Sequence, residues 1–347
     1  METQGNAKMK IYNLIILDKS GSMASIRRAA IDGVNETING IRQAQKKYAD
    51  TQEHFLTLRV FCDCEQRDVY DCVPITDVKN LTEGDYQPCC CTPLYDAMGF
   101  SLTKLKGILG SGSNSTAVVT VVTDGLENSS KEFNGPQVAQ LVKELREQGW
   151  VFAYMGSDHD VEAVASQMNI QNVQRFEHTD EGTGASFERE SNSRTRLFDR
   201  IDCCMSAAPN MSAESFHASL RIMDAEFYDE DDDTEIFVFG SNTKGTHDGG
   251  AARNAVLHHG AIKGQAEGRQ GNAYAIPTVG NSRQEMAEAI ERFCIYALTH
   301  PDNTFNVTAI GCGHAGYTPA DIAPLFERVK DAKNVNLPTE FTQILNK

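Results

Sequence analysis

The sequence predicts an α/β protein: a doubly wound, mostly parallel sheet, followed by a second, smaller α/β domain. Three observations carry this. Uncharged runs such as Ile11–Leu17 and Ala117–Thr123 read as strands buried on both faces. Stretches with apolar residues at helical spacing alternate with those runs. An acid-rich break at Glu226–Glu235 interrupts the alternation, which then starts again.

In chain order, the first strand passes into a helix over about Ser25–Tyr48, where Ile26, Ala30, Val34, Ile38 and Ile41 form one stripe. Phe55–Phe61 alternates like a half-exposed strand, and Asp68–Val73 is placed to pair with it as a hairpin edge. Asp77–Pro88 carries Gly and Pro and reads as loop. The next helix, Leu94–Ile108, buries Leu94, Met98, Leu102 and Leu105. After the strand that ends at Thr123 come a helix over Pro136–Gln148 stopped by Gly149, a strand at Val151–Gly156, a helix at Val161–Met168 and a short strand near Val173–Phe176. Met205–Met223 is Ser-rich and weakly helical, and the uninterrupted acids Asp229–Asp233 lack the spacing of an EF-hand loop and read as a solvated linker. The expected division is residues 1–205, an acidic linker over 206–234, and residues 235–347. No internal repeat is visible.

The totals exclude several classes of function. A length of 347 residues favours two domains, and 40% apolar residues are enough for globular cores. A net charge of −16 argues against a nucleic-acid surface and against an anionic membrane. Met1–Lys10 has no apolar signal core and no run reaches the length of a membrane span, so the expected location is cytoplasmic. Ten cysteines are then expected as reduced thiols. Cys62, Cys64 and Cys72 flank the expected strand pair, and Cys89, Cys90 and Cys91 precede Thr92. A zinc site among them is disfavoured, since there is no Cys-x-x-Cys pair and adjacent cysteines do not readily converge.

The chemistry concentrates on loops at the carboxyl ends of strands, where ligands bind in open α/β sheets. Asp18-Lys19-Ser20-Gly21-Ser22 places a carboxylate and two hydroxyls between the first strand and helix. Such hard oxygen donors suit Mg2+, although Asp and Ser are also ordinary turn and cap residues. Two further stretches favour the metal: Thr92 just ahead of a helix, and Thr123-Asp124-Gly125 at the end of the second uncharged strand. Together these resemble the metal-ion-dependent adhesion site of von Willebrand factor A domains, over about residues 10–205. The resemblance implies that Ser20, Ser22 and Thr92 coordinate Mg2+ (or Mn2+) through their hydroxyls, with Asp18 and Asp124 acting directly or through water. It also implies a protein partner that offers a carboxylate to the metal.

The second domain shows strand Ile236–Gly240, a loop from Ser241 to Gly250, and a helix from about Ala251. After the strand Ala273–Pro277 and the helix Ser282–Leu298, the same unit recurs as strand Phe305–Ile310, loop Gly311–Tyr317 and helix Pro319–Val329. Glycines let backbone approach a ligand, and helix N-termini favour anions. Two such loops without a Walker lysine point to a dinucleotide-like ligand. The run Phe-Gly-Ser-Asn, Gly-x-His-Asp-Gly-Gly-Ala-Ala, Tyr-Ala-Ile-Pro-Thr and Ile-Gly-Cys-Gly-x-Ala-Gly-Tyr looks like a macrodomain-like family, some members of which resemble ADP-ribose-1''-phosphate phosphatases. It departs from the usual Asn-Ala-Ala-Asn signature. The resemblance implies that Asn242 contacts the distal ribose and that Asp248 orients or deprotonates a water. It further implies that Gly249 and Gly250, with Gly311, Gly313 and Gly316, bind the ligand.

Each of these residues has a plainer reading. Asn242 can cap its turn, Asp248 can cap the following helix, and His247 and His314 read as solvated or locally bonded loop histidines. His258 and His259 share a helix and cannot both point at one site. Cys312 lies between glycines with no identifiable base. Two functions follow. In one, Mg2+-dependent partner binding is joined to binding or hydrolysis of an ADP-ribose derivative. In the other, the protein is a non-enzymatic reader or scaffold whose modules only bind.

Overall fold

The computed structural model describes residues 8–110, 114–157, 160–207, 212–228 and 235–346. Two compact units emerge, the first comprising Met1–Asp202 with Leu220–Asp229 and the second Cys203–Ser219 with Glu230–Lys347.

In the first unit the strands are β1 (Met9–Asp18), β2 (Gln52–Cys62), β3 (Glu65–Pro74), β4 (Ser115–Thr123), β5 (Val151–Gly156) and β6 (Asn172–Arg175). Its helices are α1 (Arg27–Lys47), α2 (Leu94–Leu109), α3 (Gly135–Glu147) and α4 (Val161–Gln167), with α5 (Asp180–Ala207) up to Asp202 and α6 (Ala213–Ala225) from Leu220. The sheet order is β3-β2-β1-β4-β5-β6, parallel throughout except for β3, which returns antiparallel on β2 as the expected hairpin edge. β1 therefore has β2 on one side and β4 on the other, and the order reverses between β1 and β4. A crevice opens beyond the carboxyl ends of strands at such a reversal.

Alternation along β1 divides the core. Leu14 and Ile16 pack with Val119, Val121, Phe152 and Tyr154 under α2, α3 and α4, through Leu94, Met98, Leu102, Val138, Val142 and Val161. The opposite face carries α1 and α5. There the Arg194 guanidinium donates to Asn13 Oδ1 (2.7 Å), Thr120 Oγ1 (2.7 Å) and Glu190 Oε1 (2.7 Å), all buried. Gly33 of α1 lies against the Phe187 ring of α5, so close that a Cβ at position 33 would stand 2.2 Å from ring atoms.

Within the interval 206–234, expected as an acidic linker with weakly helical sequence over Met205–Met223, the described residues include a helix. α6 occupies Ala213–Ala225 because Phe216, Leu220 and Met223 recur at helical spacing and bury. Within the first unit, Asp224 accepts from the Arg146 guanidinium (2.7 Å) and from Phe152 N–H (2.9 Å). The acidic run Asp229–Asp233 lies outside the described residues.

The second unit contains β7 (Glu235–Asn242), β8 (Gly268–Gln270), β9 (Ala273–Val279), β10 (Thr304–Val307) and β11 (Val335–Asn336). Its helices are α7 (Gly250–His258), α8 (Arg283–Thr299), α9 (Pro319–Ile322) and α10 (Thr339–Leu345). The sheet order is β11-β10-β7-β9-β8, with only β8 antiparallel. A small-residue core of Ala252, Ala255, Ala273 and Ala275 surrounds Phe239, and Tyr274, Phe293, Tyr296 and Phe305 form an aromatic cluster. The expected helix Pro319–Val329 is an α-helix only to Ile322 and continues as a 3-10 helix.

Candidate metal centre

β1 and β4 run side by side, with Leu17 level with Val122, so Asp18 and Asp124 leave the sheet at neighbouring points. Both carboxylates are buried. Asp18 is held at each oxygen: Oδ1 accepts from Ser20 N–H (2.7 Å) and Oδ2 from Thr123 Oγ–H (2.6 Å). Burial, aided by the neighbouring charge of Asp124, pushes the Asp18 carboxyl up to about 6 against the pull of these hydrogen bonds. Its backbone carbonyl accepts from the buried Tyr86 hydroxyl at 2.5 Å.

The hydroxyls converge on the same place. Ser22 Oγ donates to Asp124 Oδ1 (2.7 Å) and lies 3.1 Å from Ser20 Oγ. Oxygens that share an octahedron around Mg2+ stand about 3.0 Å apart along its edges, given metal–oxygen distances of about 2.1 Å. The Ser20–Ser22 and Ser22–Asp124 separations therefore fit a hard divalent ion, as does the chemistry of the donors. Thr92 comes from a third segment. A Cβ built on Gly125 would stand 3.5 Å from Thr92 Oγ1 and 4.0 Å from Ser22 Oγ, which puts both hydroxyls beside the same glycine. All five residues named from the sequence are thus gathered at one rim of the sheet.

Several residues that hold this arrangement were not singled out in the sequence. Asn128 clamps Thr92 from both sides, accepting from its N–H (2.9 Å) and donating to its carbonyl (3.1 Å). Glu127 caps the start of α2 through Tyr95 N–H (2.9 Å), and buried Asp96 accepts three backbone N–H groups from Lys131, Glu132 and Phe133. His178 stands at the border of the site, with Nε2 2.6 Å from Ser25 Oγ and Nδ1 3.3 Å from Ser157 Oγ and 3.6 Å from Asp124 Oδ2. No local pattern marks His178, which is far away in sequence.

In the second unit, Asn242 spends its side chain on its own turn. Oδ1 accepts from Lys244 N–H (3.0 Å) and Thr246 N–H (3.3 Å), and Nδ2 donates to Thr246 Oγ1 (2.8 Å). Asp248 is exposed and paired with Lys263 at 3.1 Å. The N-cap of α7 is Gly249, not Asp248. His247 is buried with Nε2 3.0 Å from Gln265 O, so it braces the loop from inside. Gly249, Gly250, Gly313 and Gly316 have open space where a Cβ would stand, whereas Gly311 is packed against Ile322. Gly240 of β7 lies close to the second loop, since its Cβ position is 3.7 Å from Gly311 N.

No family model matches the sequence, and no curated protein matches it. Solved structures to which this chain is similar include a von Willebrand factor type A protein from Catenulispora acidiphila, at 15% identity over 55% of this chain and 43% of that chain, TM-score 0.38. The PilB minor pilin from Streptococcus sanguinis is similar at 10% identity over 57% of this chain and 64% of that chain, TM-score 0.37. The manganese-loaded TRAP protein of Plasmodium vivax is similar at 14% identity over 52% of this chain and 72% of that chain, TM-score 0.35. The chain spans less than two thirds of the first two of these.

Proposed function

We propose that the first unit is a protein-binding module that depends on a divalent cation, Mg2+ or Mn2+, in the manner of von Willebrand factor A domains. The observation that carries this is the meeting of Ser20, Ser22, Thr92, Asp18 and Asp124 at one rim, with spacings of 2.7 and 3.1 Å between the oxygens of Ser22 and its neighbours. A bound cation would supply Lewis acidity toward a partner's carboxylate. Ser20, Ser22 and Thr92 would hold it through their hydroxyls. Asp18, with both oxygens engaged by Ser20 and Thr123, would act through water, and Asp124 would offset charge. Leu126, two residues past Asp124 and 55% exposed, offers an apolar contact beside the ionic one. The test is thermal denaturation with and without Mg2+ or Mn2+, for the wild type and for Asp18→Ala and Asp124→Ala. At metal concentrations near 100 Kd the wild type gains about 2.7 kcal/mol, and indifference to both metals would overturn the reading.

For the second unit we propose binding of an ADP-ribose-like anion on the loops that follow β7 and β10. Two open glycine turns at the carboxyl ends of adjacent parallel strands support this. The exposure of Asp248 and its pairing with Lys263 favour a reader over a hydrolase, since a general base is normally shielded beside its substrate. Calorimetry with ADP-ribose tests binding, and turnover of ADP-ribose-1''-phosphate would restore the hydrolase. An absence of heat on adding ADP-ribose removes the nucleotide reading altogether.

A further inference from the structure

Beside the hydroxyl-lined rim, four thiols gather. Cys62 ends β2 and Cys64 stands in the turn to β3, while Cys89 and Cys90 belong to the segment that leads to α2. The sulfurs of Cys64, Cys89 and Cys90 all lie within 4.8 Å of one another, and Cys62 Sγ is 3.3 Å from Cys89 Sγ. Cys90 Sγ shares hydrogen bonds with both Cys64 and Cys89. Adjacent cysteines were expected to diverge, as successive side chains do in extended chain. Cys90 instead takes a left-handed backbone conformation (φ 61°), which turns its thiol to the same side as its neighbour's. That conformation costs a non-glycine residue about 1 kcal/mol or more and persists only where surroundings impose it.

We propose that Cys64, Cys89 and Cys90, completed by Cys62, form a thiolate site for zinc. Sulfur ligands of tetrahedral zinc stand about 3.8 Å apart, from a zinc–sulfur distance of about 2.3 Å, and the 4.8 Å limit that holds Cys64, Cys89 and Cys90 together leaves room for that spacing, with Cys62 Sγ at 3.3 Å from Cys89 Sγ. Each thiol releases its proton to solvent as it ligates. The site is separate in chemistry from the neighbouring oxygen site, because soft thiolates select zinc whereas hydroxyls and carboxylates select hard ions. It is joined to that site through the backbone: Cys89 N–H donates to Lys19 O (2.8 Å) and Gly21 N–H to Cys90 O (3.0 Å). Asp63 N–H donates to Cys91 O at 3.1 Å, which ties the β2–β3 turn to the same segment. Thr92 follows directly. Closing the thiolate site would fix the strap that delivers Thr92.

The full chain, purified under reducing conditions, should contain about one zinc per chain, with the content falling about tenfold or more in the Cys89→Ser, Cys90→Ser double variant. Cys72→Ser and Cys312→Ser, outside the cluster, should leave it unchanged. In case the double variant does not fold, the wild type suffices: replacement of zinc by cobalt should give thiolate-to-metal charge-transfer absorption and intense tetrahedral d–d bands that excess Mg2+ does not remove. Weak octahedral bands, or zinc content equal in wild type and variant, would overturn the proposal. Recovery of a Cys62–Cys89 disulfide peptide from reductant-treated protein would overturn it too, since those sulfurs would then be spent on each other.

Discussion

Ser22 Oγ donates to Asp124 Oδ1 at 2.7 Å although 102 residues separate them in sequence. The bond joins the loop after β1 to the loop after β4 and fixes the width of the proposed metal rim. Ser22→Ala removes a donor to a charged acceptor as well as a proposed metal ligand. Without metal it should cost about 1–3 kcal/mol, and it should weaken Mg2+ binding at least tenfold. Denaturation midpoints measured across a Mg2+ titration check both, and an unchanged Mg2+ response would remove Ser22 from the ligand set.

The second prediction concerns pH. The folded-state pKa of Asp18 is raised to about 6, above its ordinary 3.8. Between those values the folded metal-free protein retains a proton that the unfolded chain has lost, so this group's contribution to stability falls as pH rises through about 6. That proton also competes with a cation. Stabilisation by Mg2+ should therefore be small near pH 5 and reach its full size near pH 7. Asp18→Asn should flatten the dependence, and a Mg2+ effect of equal size at both pH values would contradict it.

His54 acts in the opposite direction. Burial, with Arg194 adding, lowers it to about 3 from 6.5. The unfolded chain takes up a proton below about 6.5 that the fold refuses, so this contribution is present above 6.5 and is lost as pH falls toward 3. The two shifts correspond to about 5 kcal/mol for His54 and about 3 kcal/mol for Asp18. The acid side should be governed by His54, and His54→Gln should reduce the loss of stability on acidification, as read from urea midpoints at several pH values.

Arg194 is the buried bolt between α5 and the sheet. Arg194→Met keeps most of the volume but leaves Glu190 as a buried carboxylate beside Thr120 and Thr37. A loss of about 3–5 kcal/mol is expected, and the pair Arg194→Met with Glu190→Leu should recover much of it. Equal instability of the single and double variants would show that the bolt matters for more than charge.

Gly33→Ala sets two effects against each other. Alanine gains about 1 kcal/mol in helix propensity, but its Cβ would stand 2.2 Å from Phe187. Overpacking should win, with a net loss of about 1–3 kcal/mol by urea denaturation, relieved when Phe187→Leu is added.

The five residues of the proposed metal site were legible because strand and helix patterns put them on loops at one end of the sheet, and because their order resembles that of von Willebrand factor A domains. Their supports were not legible. Tyr86, Asn128 and His178 reach the site by tertiary folding, and no spacing rule connects Asp124 to a histidine 54 residues on. The convergence of Cys89 with Cys90 depends on one backbone angle that a cysteine rarely adopts. β8 and β11, with 3 and 2 residues, are too short to show a period. In the second unit the turn role of Asn242 was foreseen, whereas the cap expected of Asp248 falls instead to Gly249.

The reversal of strand order between β1 and β4 also bears on how the chain reaches its native state. The rim exists only after strands distant in sequence have paired, and such pairings form late and slowly in parallel sheets. A cation that waits for both halves of the rim would then act after the folding barrier, prolonging the life of the finished fold without hastening its appearance.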